Sequence, residues 1–135
     1  PKPIGKVASG GELSRIALAI AVTTSKLGNA PTLIFDEVDV GIGGGIAEVV
    51  GSLLRKLGKK AQIVCVTHLP QVASQGHHQY PVTKAGTKKK VTTDLIALDE
   101  TSRIEEIARM LGGIDLTQQS MAHAKEMFEL AQTDT

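Results

Sequence analysis

The chain has 135 residues, of which 41% are hydrophobic and 21% charged, a size and composition typical of a single globular domain with its own core. Its formal net charge of +1 is too small to argue for nucleic-acid binding by charge alone. Two Phe, one Tyr and no Trp leave few rings on which single-stranded bases could stack.

The first predicted element is a helix over residues 10–27. Its inward face is expected to carry the apolar residues that recur at helical spacing, Leu13, Ile16, Ala17, Ile20 and Leu27. Ser9 and Glu12 form the Ser-x-x-Glu pattern of a capping box, and Gly28-Asn29 is expected to end the helix.

A strand, a helix and a second strand are predicted next. The apolar runs Thr32–Phe35 and Gln62–Val66 indicate two buried strands, and residues 46–57 indicate a helix that Gly58 stops. The glycine-rich stretch Gly41–Gly45 is interpreted as a connecting turn, because no Gly-Lys-Ser/Thr follows it as in a Walker A loop. Strands joined by a helix run parallel with a right-handed crossover, so the predicted fold class is α/β.

The rest of the chain is predicted to hold a hairpin between helical segments. Leu69–Ser74 is a short helical segment with Pro70 in its first turn. Tyr80–Lys84 and Val91–Leu98 are expected to pair as an antiparallel hairpin joined by Ala85-Gly86-Thr87.

A helical tail is expected after the hairpin. One helix carries apolar residues at helical spacing, namely Ile104, Ile107, Ala108 and Leu111, and Gly112-Gly113 closes it. Thr117 caps a final helix whose inward residues are Met121, Ala124, Phe128 and Ala131.

The residues at the start of the first helix have the composition of an anion-binding turn. Ser9 precedes Gly10 and Gly11, and Glu12 follows. Glycines let the backbone approach a ligand closely, and the free N–H groups and dipole of a helix start favour an anion. Since similar caps occur in helices without ligands, these residues leave open both a binding site and a plain helix cap.

Acidic and imidazole side chains come directly after the two predicted strands. Asp36 and Glu37 follow the first strand, and His68 comes just after the second. Ligands bind at the carboxyl ends of strands in open α/β sheets. An Asp there can hold Mg²⁺ through water, a Glu can orient an attacking water, and a His can stabilise a phosphate. An acidic turn and an ordinary loop histidine remain the alternatives.

The order of these motifs resembles the second half of an ABC-type ATPase head, with a mostly parallel sheet flanked by helices. Ser9 to Glu12 match the signature motif and Leu33 to Asp36 match Walker B. Glu37 matches the catalytic glutamate, Asp39 the D-loop aspartate and His68 the switch histidine. The resemblance implies ATP and Mg²⁺ as cofactors, with Asp36 supporting the metal through water.

The same resemblance implies that two heads sandwich two nucleotides in an ATP-dependent homodimer. Ser9, Gly10, Gly11 and Glu12 of one head would then touch the γ-phosphate held by the other head. Asp36, Glu37 and His68 would serve the nucleotide of their own head, and Asp39 is also expected to bind the cofactor.

Within this superfamily, residues 8–15, 35–44, 66–73 and 105–113 are similar to the RecN family of SMC-like proteins, which acts in bacterial double-strand break repair. The Walker A loop and Q-loop of that family do not occur in residues 1–135. We therefore expect the chain to be the C-terminal half of a head, to need the N-terminal half as a partner, and to be inactive alone. DNA is an expected partner of the full-length protein.

The compartment expected from this reading is the bacterial cytoplasm, in association with the nucleoid. The single cysteine, Cys65, lies in an apolar run, which excludes an internal disulfide and fits a reducing compartment. The chain begins with Pro1 rather than Met and has neither a signal-peptide pattern nor a run of about 20 apolar residues. We expect a piece of a longer protein and no membrane partner.

The sequence also allows two other interpretations. In a non-catalytic module, Lys84 and Lys88 to Lys90 would meet DNA phosphates, although a solvated hairpin tip explains the same lysines. A stand-alone metal hydrolase built on Asp36, Glu37, Asp39 and His68 is disfavoured, because adjacent residues of one strand point apart and the chain has no zinc-type pair of ligands.

Overall fold

The computed structural model describes residues 9–23, 31–87, 90–112 and 116–133. In chain order its elements are α1 (Gly10–Thr23), β1 (Thr32–Phe35), α2 (Gly44–Gly58), β2 (Gln62–Cys65), α3 (Pro70–Ala73), β3 (Val82–Thr87), β4 (Lys90–Leu95), α4 (Glu100–Gly112) and α5 (Gln118–Thr133). Tertiary contacts divide the chain into two compact units, one ending at Gly76 and the other beginning at His77.

The first unit contains the predicted βαβ arrangement. β1 and β2 pair in parallel, with Thr32 opposite Gln62 and Phe35 opposite Cys65. The ladder continues one step further, because the amide of Val66 donates to the carbonyl of Phe35 over 3.0 Å. The α/β class and the parallel pairing are therefore confirmed.

One face of this two-stranded sheet packs on helices and the other is bare. Phe35 is buried with residues of α1, α2 and α3 in a core made up of Leu18, Phe35, Val38, Ala47, Val50, Leu54, Leu57 and Val72. On the opposite face Ile34 is 72% exposed, and Val64 and Val66 are also exposed. The prediction of fully buried strands is therefore wrong for one face, because the described residues supply no second layer.

Helix α1 is turned differently from the prediction. The residues expected to face inward are exposed, namely Leu13, Ile16, Ala17 and Ile20. Gly11 and Leu18 are buried instead. Apolar residues occur on several sides of this helix, so periodicity alone could not select the buried one. The predicted inward residue Leu27 and the predicted stop at Gly28-Asn29 lie outside the described residues.

The turn before α2 is shorter than predicted, because the last two glycines of Gly41–Gly45 belong to the helix. Helix α2 begins at Gly44, two residues before the predicted start, and ends at Gly58 as expected. Gly41 and Gly44 have positive φ angles of 74° and 52°, a region that glycine enters without steric cost. These two glycines let the chain reverse before the helix begins.

The second unit opens with the hairpin, whose turn differs from the predicted one. β3 and β4 pair antiparallel, with Val82 opposite Leu95 and Thr87 opposite Lys90. Ala85-Gly86-Thr87, predicted as the connection, belongs to β3, so the strands extend further towards the tip than expected. Tyr80 and residues 96–98 lie outside the strands, although Leu98 donates its amide to the carbonyl of Gln79 over 3.1 Å.

Helices α4 and α5 follow the predicted pattern closely. Their shared core consists of Ile107, Ala108, Ala124 and Phe128, all buried. The predicted cap of α5 is confirmed, because the amide of Ser120 donates to the hydroxyl of Thr117 over 3.0 Å. Gly113, predicted to help close α4, lies outside the described residues. No helix within the described ranges combines the length and apolar character needed to span a membrane.

Candidate functional site

The two strand ends that carry acidic and imidazole side chains meet at one edge of the sheet. Asp36 follows the last residue of β1, and Val66 to His68 follow β2. Because the two strands are parallel and paired to their ends, their carboxyl ends are neighbours. This edge is where ligands bind in open parallel sheets.

Asp39 joins the two strand ends. Its carboxylate is 2% exposed and accepts hydrogen bonds from the hydroxyl of Thr67 and from the main-chain amide of His68 over 3.1 Å. The ring atom Nδ1 of His68 lies 3.3 Å from the same oxygen, Oδ2. The D-loop role implied for Asp39 stays a prediction, and the structure places its carboxylate among groups of its own chain.

His68 presents most of its ring to solvent. Its side chain is 70% exposed, and the hydroxyl of Thr67 beside it accepts the amide of Leu69 over 3.0 Å. The main-chain amides of His68 and Leu69 are therefore both held by hydrogen bonds, while the imidazole remains accessible to a ligand.

Glu37 has an unusual backbone and a specific neighbour. Its φ angle is +57°, a left-handed conformation that costs a residue with a β-carbon roughly 1–3 kcal/mol and often occurs at functional sites. A β-carbon added to Gly10 would overlap Oε2 of Glu37. The carboxylate of Glu37 therefore lies against the start of α1, whose dipole favours negative charge.

The first two turns of α1 are fastened to the loop that follows β1. Ser14 donates from Oγ to the carbonyl of Asp36 over 2.6 Å, and Arg15 donates from Nη1 to the carbonyl of Val40 over 2.8 Å. A β-carbon added to Gly11 would stand 3.0 Å from the carbonyl oxygen of Glu37. Gly11 is thus needed for close packing, whereas Gly10 is exposed.

Ser9 and Glu12 form the predicted capping box, which is confirmed. The main-chain amide of Ser9 donates to Oε2 of Glu12 over 2.7 Å, and the amide of Glu12 donates to Oγ of Ser9 over 3.3 Å. Hydrogen bonds from Ser9 lower the pKa of the Glu12 carboxyl below its ordinary value. Both residues are exposed, so the helix start is available to a ligand.

Asp36 is the residue at this edge that suits a hard cation. It is exposed, and its Oδ1 accepts the amide of Glu37 over 2.8 Å, which orients the carboxylate. Mg²⁺ is commonly held by one or two carboxylates together with waters and phosphate oxygens, and a single aspartate fits that pattern. Among the described residues, no three His, Cys, Asp or Glu side chains are grouped to hold a metal ion by themselves.

Cys65 is the last residue of β2 and is partly buried. Burial, followed by the negative charges of Asp39 and Asp36, raises the pKa of its thiol from 9.0 to about 12. A thiol of this kind is a poor nucleophile at neutral pH.

The structure adds Ser14, Arg15 and Thr67 to the residues that sequence reasoning selected. Polar side chains on the same side of α1 as Gly11 and Leu18 could have indicated the first two. The lysine patch proposed for the hairpin cannot be placed, since Lys88 and Lys89 and the side chain of Lys90 lie outside the described residues. Lys84 is exposed on β3.

Similarity to known proteins was found in sequence and in structure. Three bacterial proteins named DNA repair protein RecN are similar to this chain in sequence. The protein from Haemophilus influenzae is 55% identical to the chain over 130 residues, and that from Vibrio cholerae is 57% identical over 126 residues. The protein from Halalkalibacterium halodurans is 41% identical over 130 residues. These matches cover 96%, 93% and 96% of this chain and 23% of each relative. The chain therefore spans about a quarter of the length of these relatives, and no protein-family model matches it.

A solved structure supports the fold. It comes from work on the ATP-driven dimerization and DNA-stimulated activation of SMC ATPases, and it matches with a TM-score of 0.51 at 22% identity. The match covers 77% of this chain and 63% of that chain. The resemblance to RecN proteins and to the SMC ATPase fold is thereby confirmed.

Proposed function

We propose that this chain is part of an ATP-binding and ATP-hydrolysing head. Nearly its whole length is similar to a segment that makes up 23% of a protein named DNA repair protein RecN. The full-length protein would act in DNA double-strand break repair and recombination, in the bacterial cytoplasm on nucleoid DNA. The observation that carries this proposal is the meeting of Asp36, Glu37 and His68 at one sheet edge beside the start of α1.

Three residues would serve the nucleotide bound to the chain's own head. Asp36 would hold Mg²⁺ through water, and the bound cation would neutralise charge on the phosphates. Glu37 would orient the water that attacks the γ-phosphorus as the bond to the bridging oxygen breaks, giving ADP and phosphate. His68, exposed at the neighbouring strand end, would hydrogen-bond the γ-phosphate.

The start of α1 would serve a nucleotide held by a second head. Ser9 and Gly10 are exposed. Since the capping box occupies the amides of Ser9 and Glu12, the amides of Gly10 and Gly11 would be the ones to meet an anion. The capping box between Ser9 and Glu12 would hold this turn in shape. ATP would then act as an interface ligand that stabilises a homodimer, and hydrolysis would release the two heads.

The other half of the head would cover the bare apolar surfaces of the first unit. Ile20 on α1 is 57% exposed, and Ile34 and Val64 lie on the uncovered face of the parallel sheet. Parallel sheets are normally buried on both faces, and a two-stranded sheet is marginal in water. We assign this cover to the N-terminal half of the same head, since the relatives are about four times longer than the chain.

This division predicts that residues 1–135 alone do not hydrolyse ATP, because they contain no Walker A lysine to grip the phosphates. The test measures ATP binding and turnover by the chain with and without a separately expressed N-terminal half. Turnover only in the mixture supports the proposal, and turnover by the chain alone contradicts it.

The role of Glu37 is tested by Glu37→Gln in the full-length protein. The amide keeps the shape of the side chain but cannot take a proton from water, so ATP binding and dimerisation should persist while turnover is lost. Glu48→Gln makes the same chemical change at an exposed position of α2 and should leave turnover unchanged. Normal hydrolysis by Glu37→Gln would remove Glu37 from the catalytic role.

A further inference from the structure

The buried carboxylate of Asp39 lies beside one ring nitrogen of His68. Its Oδ2 takes the hydroxyl of Thr67 and the main-chain amide of His68, and Nδ1 of the imidazole lies 3.3 Å away. One ring nitrogen is therefore turned to a carboxylate that is 2% exposed, while 70% of the His68 side chain is in solvent. The bonds from Thr67 and from the His68 amide are enough to hold the loop. The contact with the imidazole is additional.

We propose that Asp39 is a positioning residue that fixes the tautomer and the orientation of His68. An ionised carboxylate only accepts hydrogen bonds, so the nitrogen that faces it, Nδ1, carries the ring proton. Nε2 is then the nitrogen offered to a ligand. This assignment follows from contacts within the chain and does not depend on the bound ligand being a nucleotide.

The tautomer has a consequence for phosphate binding, and this part rests on the proposed function. With the proton on Nδ1, neutral His68 has only a lone pair on Nε2. That nitrogen and a phosphate oxygen are both acceptors, so they could not form a hydrogen bond. Only the imidazolium form donates from Nε2, and Asp39 then lies beside it as the counter-ion. His68 would therefore bind the terminal phosphate as a charged donor, with Asp39 supporting the charge from behind.

The tautomer can be read directly in the 135-residue chain by nitrogen NMR of the ring atoms, at a pH where the imidazole is neutral. His68→Gln identifies the signals of His68, and His78 and His123 serve as internal references. The expected result is a proton on Nδ1 of His68 in the unmodified chain. A proton predominantly on Nε2 overturns the proposal without any variant of Asp39.

Asp39→Ala provides the second arm. It removes the acceptor that faces Nδ1, so the ring proton is no longer held on Nδ1 and is expected to shift towards Nε2. Thr67→Val removes a different partner of the same carboxylate and should leave the proton on Nδ1. Backbone amide spectra of both variants establish that they fold. An unchanged His68 tautomer in folded Asp39→Ala would show that the carboxylate does not set it.

The functional arm uses the full-length protein. Asp39→Ala is expected to lower kcat about as much as His68→Ala does, with KM for ATP little changed. In the His68→Ala background it should add less than about a twofold effect, because residues that act as a unit are not additive. Full additivity would contradict positioning through His68. Absence of ATP turnover by the full-length protein, together with a proton on Nδ1, would overturn the proposed ATPase and leave the assignment of Asp39 intact.

Discussion

Ser14 donates a hydrogen bond from its hydroxyl to the main-chain carbonyl of Asp36, with 2.6 Å between Oγ and O. The bond joins the second turn of α1 to the residue that follows β1, across 22 positions of sequence. Together with the bond from Arg15 to the carbonyl of Val40, it makes the helix start and the acidic loop a single rigid piece. In the proposed dimer the two elements contact different nucleotides, so this piece would connect them.

We expect Ser14→Ala to lower the free energy of unfolding by about 1 kcal/mol, the usual net contribution of a protein hydrogen bond. Chemical denaturation of the chain measures the change. Ser52→Ala is the matched control, since Ser52 lies in α2 and its hydroxyl makes no hydrogen bond to any residue within the described ranges. Equal effects of the two substitutions would mean that the bond to Asp36 contributes nothing.

The chain should be more stable with glycine at position 37 than with alanine there. Both Glu37→Gly and Glu37→Ala remove the carboxylate, but only glycine adopts a φ of +57° without steric cost. Glu37→Gly is expected to unfold with about 1 kcal/mol more free energy than Glu37→Ala, even though glycine is entropically costly elsewhere. Denaturant midpoints of the two variants decide the point, and an order of stability with alanine first would argue against the left-handed backbone.

Two glycines of α2 should respond to alanine in opposite directions. A β-carbon at Gly51 would stand 2.9 Å from the carbonyl oxygen of Gln71 and 3.2 Å from Cα of Val72, so Gly51→Ala must push α3 away. We expect a loss of about 1–3 kcal/mol, typical of overpacking. Nothing among the described atoms lies within 4 Å of a β-carbon at Gly45, so Gly45→Ala should gain up to about 1 kcal/mol from helix propensity. Thermal unfolding of both variants is the measurement.

The capping box should make the stability of α1 depend on pH. Hydrogen bonds from Ser9 lower the pKa of Glu12 below its ordinary value of 4.5, so the folded state favours the ionised form. The contribution is fully present above pH 4.5 and is lost as the pH falls through the lowered folded-state pKa. Glu12→Gln removes this dependence. The difference in unfolding free energy between the unmodified chain and Glu12→Gln should therefore shrink on acidification, and a constant difference would contradict the prediction.

Cys65 should resist thiol reagents while the chain is folded. Burial is the main cause that raises the pKa of its thiol to about 12, and the thiolate is the reactive form. Alkylation at neutral pH is expected to be far slower in the native chain than in the chain unfolded by denaturant, where the thiol titrates near 9.0. Mass spectrometry of timed samples measures both rates. Comparable rates would mean that the thiol is accessible and ionises normally.

Local signals in the sequence were sufficient for most of the elements. The Ser-x-x-Glu pattern at Ser9 and the threonine at position 117 both mark helix starts, since a cap depends on neighbours three residues apart. The apolar runs that end at Asp36 and before His68 indicated two parallel strands, because a helix of suitable length separates them. These features rest on contacts over short distances along the chain, which periodicity and spacing encode.

Contacts between segments far apart in the sequence determined the buried face of α1 and the partners of Asp39. The apolar residues of α1 occur on several sides, and the face that includes Leu18 became the buried one because Gly11 and Ser14 fit against the loop after β1. Asp39 reads in the sequence as one acidic residue of a loop, and only the approach of β2 shows that its carboxylate holds Thr67 and His68. Residue types and spacing identified the chemistry available at this edge, whereas the folded chain determined which groups meet, because those contacts join segments about 20 to 30 residues apart.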